Sequence, residues 1–256
     1  MSPEVEFDRV APTYDETRRP PSETELDSLV QLLSGCRSLV DGGVGTGRFA
    51  APLHARGFEV LGVDLSVAMM RRAGTKGIIA LVRGDLRRLP LRDDAVDAAF
   101  TAHVLQLVAE PAAVLRELGR VARHKVVVLL PERPSRGPGD ARVEFYRRYR
   151  ALAQELGYSL PERGPRFWHT FDDLRAIAPP SEVRVVEGQP PALSEEAIRR
   201  RAEAGGWFGR GSIPPEVHQE ILRRLGTENV PDRSWWRGPR LERFIVWEPS
   251  ALREMG

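Results

Sequence analysis

Val40-Asp41-Gly42-Gly43-Val44-Gly45-Thr46-Gly47 is the stretch on which the fold turns. The residues before it, Ser38–Gly42, are short and apolar, like a buried strand. Those after it, Gly47–Arg56, read as a helix that stops at Gly57, a C-cap signal. Glycines at alternate positions between the two let the backbone turn tightly and come close to a ligand with no Cβ in the way. The helix N-terminus beyond them offers unpaired N–H groups to a polar ligand end. A G-x-G pair by itself also fits an ordinary strand-to-helix turn. The next apolar run, Glu59–Asp64, adds a second feature, because it ends on a carboxylate that can accept both hydroxyls of a ribose.

The same rhythm continues outward. Ile79–Arg83, Val96–Thr101 and Lys125–Pro131 are further short, nearly continuous apolar runs, as expected for parallel strands covered on both faces. Ser66–Ala73 and Glu110–Arg123 are helical, the latter with Val114, Leu115, Leu118 and Val121 on one face. Past Pro131 the texture changes. Pro134–Asp140 reads as a loop, Ala141–Leu156 as a helix of mixed faces, and Asp172 and Asp173 open a short helix that runs to Ala178. Ser194–Ala204 and Pro215–Leu225 read as helices joined by Gly205–Ser212, between the strands Glu182–Glu187 and Leu241–Trp247.

The glycine spacing excludes two phosphate-binding patterns. A dinucleotide fingerprint, G-x-G-x-x-G, fails at Arg48 when started from Gly43, and at Ala50 when started from Gly45. No G-K-[ST] follows, so a P-loop is absent. The run D-x-G-x-G-x-G at Asp41 to Gly47 is instead followed by V-D-L-S at Val63 to Ser66 and G-D-L at Gly84 to Leu86. Then come L-P-L-x-D-D-A-V-D at Leu89 to Asp97 and F-T-A-H-V-L at Phe100 to Leu105. In this order the chain resembles the class I S-adenosylmethionine-dependent methyltransferases. It is similar to their ubiquinone/menaquinone-biosynthesis branch, which F-D-x-V-A-P-x-Y-D at Phe7 to Asp15 also matches. The resemblance covers about residues 7–131.

What the resemblance implies is specific. The fold is expected to be α/β, a Rossmann-like seven-stranded, mostly parallel sheet with helices on both faces. Its last strand, Leu241–Trp247, should run antiparallel beside Glu182–Glu187, and helical cap insertions should lie at 135–178 and 189–238. The implied organisation is a lid segment at 1–25, a cofactor-binding core at 26–134, a cap and acceptor region at 135–238 holding one core strand at 182–187, and a final strand and tail at 239–256. S-adenosylmethionine is the implied cofactor, S-adenosylhomocysteine its product, and no metal is expected. Gly43, Gly45 and Gly47 are expected to hold the methionine moiety, and Asp41 to orient its ammonium. Asp64 would take the ribose hydroxyls, with Leu65 and Met69 against adenine or ribose. Asp85 would accept from the adenine amino group and the Leu86 N–H would serve a ring nitrogen. The Thr101 carbonyl would face the ammonium.

A sulfonium methyl is already activated, so placing the acceptor in line is the main task, worth up to ~7–11 kcal/mol. A base is needed only where the acceptor must lose a proton. His103, just past the fourth strand, is the candidate for that catalytic role, with an ordinary pKa near ~6.5; packing or hydrogen bonding is the other reading of it. Tyr14 is the second catalytic candidate and a cofactor contact, since in the resembling branch its segment folds over the cofactor. Arg18 and Arg19 read as a solvated basic turn, and Arg147, Arg148 and Arg150 as a charged helix face, with an anionic substrate the other reading of them. Phe145, Tyr146, Tyr149, Phe167, Trp168, Trp207, Phe208, Trp235 and Trp236 either wall an acceptor pocket or form the core of the cap. Trp207 and Phe208, set among glycines, suggest a lid tip.

Composition bounds the rest. The chain has 256 residues, 41 % apolar and 29 % charged, which suits one large core with an insertion and excludes a disordered or fibrous chain. A net charge of +2 argues for no nucleic-acid partner, and no apolar run approaches a membrane span. The acidic N-terminus lacks the apolar stretch of a secretion signal, so a cytoplasmic location is expected. Cys36 alone forms no internal disulfide and no multi-thiolate metal site. It also precedes the first strand, away from where a cytosine-C5 enzyme keeps its nucleophile. The expected partner is a small-molecule acceptor. A tRNA or protein acceptor, or a non-catalytic S-adenosylmethionine-binding protein, remains the alternative. Acceptor identity, the atom methylated and the choice of monomer or dimer are open at this level.

Overall fold

The computed structural model describes residues 7–8, 11–15, 20–78, 80–132, 141–159, 169–188, 213–226 and 240–255. Seven strands build one sheet: β1 (Ser38–Gly42), β2 (Glu59–Asp64), β3 (Leu81–Arg83), β4 (Val96–Ala102), β5 (Ala122–Glu132), β6 (Glu182–Gly188) and β7 (Arg240–Trp247). Their spatial order is β3-β2-β1-β4-β5-β7-β6. β1 pairs in parallel with β2 and β4, and β4 with β5, while β7 is antiparallel to both β5 and β6. This is the Rossmann-like arrangement expected, including the place and direction of the last strand.

Alternation along the strands sorts the core into two layers. Leu39, Phe100, Val127, Leu129, Phe244 and Val246 face one side. There α1 (Glu23–Leu32), α2 (Ala50–Ala55) and α3 (Val67–Gly74) cover them through Leu29, Leu53 and Ala73. Val40, Ala99, Val126, Val128, Ile245 and Trp247 face the other side. Here α4 (Pro111–Val121), α6 (Phe171–Ile177) and α8 (Pro249–Arg253) cover them through Leu115, Leu174 and Leu252. Burial of both faces is why the central strands β1, β4 and β5 carry apolar residues on both sides, whereas the edge strand β6 alternates and leaves Val183 and Val185 exposed.

Several boundaries differ from the sequence reading, each for a local reason. α2 begins only at Ala50, because Gly47 to Phe49 are taken up by the turn. Ser66 is the N-cap of α3, its hydroxyl accepting from the Met69 N–H at 3.1 Å. α4 stops at Val121 and β5 starts at once, with Arg123 bound to Asp97 at 2.6 Å across β4. β3 begins at Leu81; Ile79 lies outside the described residues. α1 and α8 were not anticipated, although α1 opens with a full capping box between Ser22 and Glu25.

The chain divides into two compact units. The first, Met1–Glu132, Phe167–Gln189 and Pro239–Gly256, holds the sheet. The second, Arg133–Arg166 and Pro190–Gly238, contains α5 (Ala141–Glu155) and α7 (Pro215–Leu225), packed through Tyr149, Ala153, Ile221 and Leu225. Its Tyr149 hydroxyl lies 2.5 Å from His218 Nδ1, both groups buried. Tyr149 is thus a core residue of this unit. The expected loop Pro134–Asp140, helix Ser194–Ala204 and loop Gly205–Ser212 lie outside the described residues. So do Arg18, Arg19, Phe167, Trp168, Trp207, Phe208, Trp235, Trp236 and the side chains of Phe145 and Tyr146.

Candidate active site

The winding direction of the sheet reverses between β1 and β4, and in open α/β sheets the ligand crevice forms there, outside the carboxyl ends of the strands. The glycine loop leaves β1 at this point. Gly43 and Val44 donate their N–H groups to the Val63 carbonyl at 2.7 and 3.1 Å, tying the loop to the end of β2. Gly43 has φ +75°, and a Cβ there would stand 2.4 Å from Val104 Cγ2. Glycine is required at that position by both backbone and neighbour. At Gly45, φ +54°, an added Cβ would meet only the Gly43 carbonyl at 3.9 Å. That side of the loop is an open backbone cradle.

Two carboxyl groups stand near the loop's ends, one bound to it and one buried in β1 within reach of the other's charge. Asp64, at the end of β2, accepts from the Gly45 N–H and the Ser66 N–H, each at 2.8 Å. Burial pushes its pKa up, and the amides of Ser66, Gly45 and Leu65 pull against that rise. Asp41, in β1, is buried (3 % exposed) and its carboxyl is pushed up to about 7, first by burial and then by the Asp64 charge. A carboxyl held so far above its ordinary range is a place where a cation can bind favourably.

The other expected residues fall into distinct settings. Thr101 is fully buried, and its hydroxyl donates to the Gly42 carbonyl at 2.6 Å, stitching β4 to β1 across the crevice. Leu65 is an exposed apolar side chain next to Asp64. Met69 is buried on α3 and Leu86 is buried among the residues under β1 and β4, so both pack the fold in this structure. Asp85 is gripped by Arg87, Nη2 at 2.7 Å and Nε at 3.1 Å, and this pairing holds its pKa below the usual range. Its carboxylate is therefore shared with a guanidinium instead of standing open.

The N-terminal segment lies on the same loops. Asp15 accepts from the Thr46 hydroxyl at 2.5 Å and pairs with Lys76 at 2.9 Å and Arg72 at 3.4 Å. Asp8 accepts from the Ser66 hydroxyl at 2.5 Å. Tyr14, half-buried, is carried between these two anchors. The sequence reading singled out Tyr14 and missed the clasp, although Asp8 and Asp15 stand in the same matched motif. His103 adopts φ +59° at the end of β4, and its Nε2 stands 3.7 Å from Oε2 of Glu242, a fully buried carboxylate at the start of β7. Glu242 was also missed; its only mark in the sequence is a charge interrupting an apolar strand.

Residues 40–130 match the family described as "Methyltransferase domain". A demethylmenaquinone methyltransferase of Roseiflexus sp. (strain RS-1) is 39 % identical over 193 residues, covering 69 % of this chain and 79 % of that protein. The chain belongs to the class I S-adenosylmethionine-dependent methyltransferases. A ubiquinone/menaquinone biosynthesis C-methyltransferase of Syntrophotalea carbinolica is 35 % identical over 130 residues, 46 % of this chain and 55 % of that one. The methyltransferase chain thus spans about half the length of several curated relatives it matches. Among solved structures, a SAM-dependent methyltransferase of Thermotoga maritima shares the fold, with TM-score 0.54, 20 % identity, and coverage of 94 % of this chain and 97 % of that one.

The site fits the cofactor of this family. The backbone at Gly45 is open, the raised carboxyl of Asp41 suits an ammonium, and the exposed Leu65 suits a flat adenine. Among the described residues, no group of three or more His, Cys, Asp or Glu side chains is placed to hold a metal ion. No helix of the described residues is long and apolar enough to cross a membrane.

Proposed function

We propose that this chain transfers the methyl group of S-adenosylmethionine to a small-molecule acceptor by direct in-line displacement. The observation that carries the reading is the open glycine loop whose Gly45 N–H is bound by Asp64, with the buried Asp41 carboxyl feeling the Asp64 charge, at the point where the sheet reverses direction. When bound, the cofactor supplies an electrophilic sulfonium methyl. The chain's residues do the rest. Gly43, Gly45 and Gly47 let the backbone approach the methionine end, Asp41 balances its ammonium, and the Thr101 carbonyl borders it. Asp64 accepts from the ribose, Leu65 covers the adenine, and the Asp85 carboxylate and the Leu86 N–H address its edge. Met69 supports that wall from within α3.

The 7–15 segment, anchored through Asp8 and Asp15, places Tyr14 over this end of the site and helps to exclude water. His103 takes a proton where the acceptor has one to lose. In this reading the division is a lid at 1–25, the cofactor core at 26–134, an acceptor region at 135–238 and the final strand at 239–256. The Roseiflexus relative is named for demethylmenaquinone, a small-molecule acceptor, which favours this acceptor class over tRNA or protein.

The test uses S-adenosylmethionine with a labelled methyl group, incubated with the protein and separately with a small-molecule extract, with tRNA and with protein. Label entering the small-molecule fraction alone is expected. Label entering tRNA or protein, or none despite cofactor binding, contradicts the reading.

A further inference from the structure

Gln106 carries a polar group that the fold leaves alone. It stands in Thr101-Ala102-His103-Val104-Leu105-Gln106-Leu107, the stretch that leaves β4 at the ligand edge of the sheet. The residue is 4 % exposed, and its Oε1 is buried with no hydrogen-bond partner among the described residues. Glutamine is mostly a surface residue, and a buried amide oxygen without a donor costs stability. Thr101, in the same stretch, is buried too, but its hydroxyl is spent on the Gly42 carbonyl. A group left unpaired in this way calls for a use.

The chain on both sides of Gln106 is pinned. His103 turns it at φ +59°, and the His103 N–H donates to the Leu129 carbonyl at 2.9 Å. Val104 lies against Gly43 of the cofactor loop. Leu105–Leu107 form a short 3-10 turn, closed by the Leu107 N–H on the Val104 carbonyl at 2.7 Å. Leu105, fully buried, joins the apolar layer that holds Leu115 and Val128. Beyond the turn, the Val108 carbonyl lies 2.9 Å from His169 Nε2. Gln106 is thus set between the cofactor loop, which Val104 touches, and the start of α4 at Pro111. In an open α/β sheet this is the ligand side, outside the carboxyl ends of the strands.

We propose that Gln106 is a specificity-determining residue for the methyl acceptor. Its amide oxygen accepts a hydrogen bond from an O–H or N–H group of the acceptor that is not the atom methylated. The inference rests on the methyl-transfer reading above. A glutamine amide accepts a hydrogen bond but does not titrate, so it removes no proton. The group it holds therefore keeps its proton through the transfer, and the methyl enters at another atom. Rotation about the side-chain torsions brings the amide to the incoming donor. The free protein bears the cost of the unpaired oxygen, and the bound acceptor relieves it. An acceptor without the donor leaves Oε1 unpaired in the complex, which is how a buried polar site rejects an analogue.

The test compares wild type with Gln106→Met, which keeps the length of the side chain and removes the amide. Loss of an unpaired buried amide should raise Tm by about 2–4 °C. Calorimetry should show S-adenosylhomocysteine affinity changed less than about twofold. S-adenosylmethionine with a labelled methyl group is then incubated with each protein and a small-molecule extract. Label entering that fraction should fall about tenfold or more in Gln106→Met. The labelled product, taken into deuterated water, should show at least one exchangeable hydrogen by mass spectrometry. A glutamine that only supports the fold, or one satisfied by an enclosed water, would give the reverse pattern: a Tm unchanged or lower, with transfer kept. Either half of that pattern overturns the proposal. So does a product with no exchangeable hydrogen, or a tenfold loss of S-adenosylhomocysteine affinity, which would put the amide on the cofactor. Wild type that binds S-adenosylhomocysteine but labels nothing sinks the methyl-transfer reading, and the acceptor role with it. The Tm shift needs no acceptor, so it separates that failure from a wrong assignment of the amide.

Discussion

At the scale of single residues, Asp41 makes the sharpest prediction. Its carboxyl, raised to about 7 by burial and by Asp64, is largely protonated at pH 6 in the free protein. An ammonium placed against it favours the ionised form, so cofactor binding releases a proton there. Affinity for S-adenosylhomocysteine is expected to rise with pH up to about 7 and then level off. Calorimetry in buffers of different ionisation heat should show the released proton, and Asp41→Asn should abolish it. The linkage to stability has the opposite sign. Because the folded pKa is raised above the ordinary 3.8, the folded state holds this proton more tightly. Stability from this group is full below that value and is lost as pH rises toward about 7, by roughly 4 kcal/mol for a shift of this size. Asp41→Asn should flatten the fall in Tm across that window. Gly43→Ala should cost about 1–3 kcal/mol in thermal unfolding, since its Cβ would stand 2.4 Å from Val104 at a positive φ.

At the scale of elements, the N-terminal segment is the part whose role is most open to test. Asp15 is held below its usual pKa despite burial, because Thr46, Lys76 and Arg72 stabilise its charge. Asp15→Ala should release the 7–15 segment from the glycine loop while leaving the sheet intact. The expected result is faster amide exchange over these residues, Tm within a few degrees of wild type, and roughly fivefold weaker S-adenosylhomocysteine binding. Unchanged exchange would show that the clasp does not hold the segment. The central strands were legible in the sequence because burial on both faces leaves short, nearly continuous apolar runs, whereas the reversed direction of β7 was an expectation of the family resemblance and no local pattern encodes it. The glycine loop and Asp64 were legible because backbone freedom and a carboxylate at a strand end have few other uses. The end of α4 was not, because Arg120, Val121 and Ala122 suit a helix, and only the pairing of Arg123 with Asp97 across β4 moves the boundary. The setting of Asp85 was hidden for a similar reason: its Arg87 partner is a neighbour in sequence with no pattern of its own. Glu242 and His103 lie 139 positions apart, and their approach depends on a register that no local pattern encodes.

At the scale of the whole molecule, the first unit carries the complete sheet and both layers of covering helices, and every polar contact described for the glycine loop lies within it. The second unit has its own small core around Tyr149 and Ile221. Cofactor binding is therefore expected to belong to the first unit. The central claim is that Gly43–Gly47 with Asp64 form an S-adenosylmethionine site. The most direct measurement is calorimetric titration of S-adenosylhomocysteine into wild type and Asp64→Ala. The account predicts micromolar binding by wild type. The variant should bind at least tenfold more weakly, since a hydrogen bond to a charged group is worth ~1.5–3 kcal/mol, with Tm little changed. No binding by wild type, or equal affinity in a folded Asp64→Ala, would contradict it.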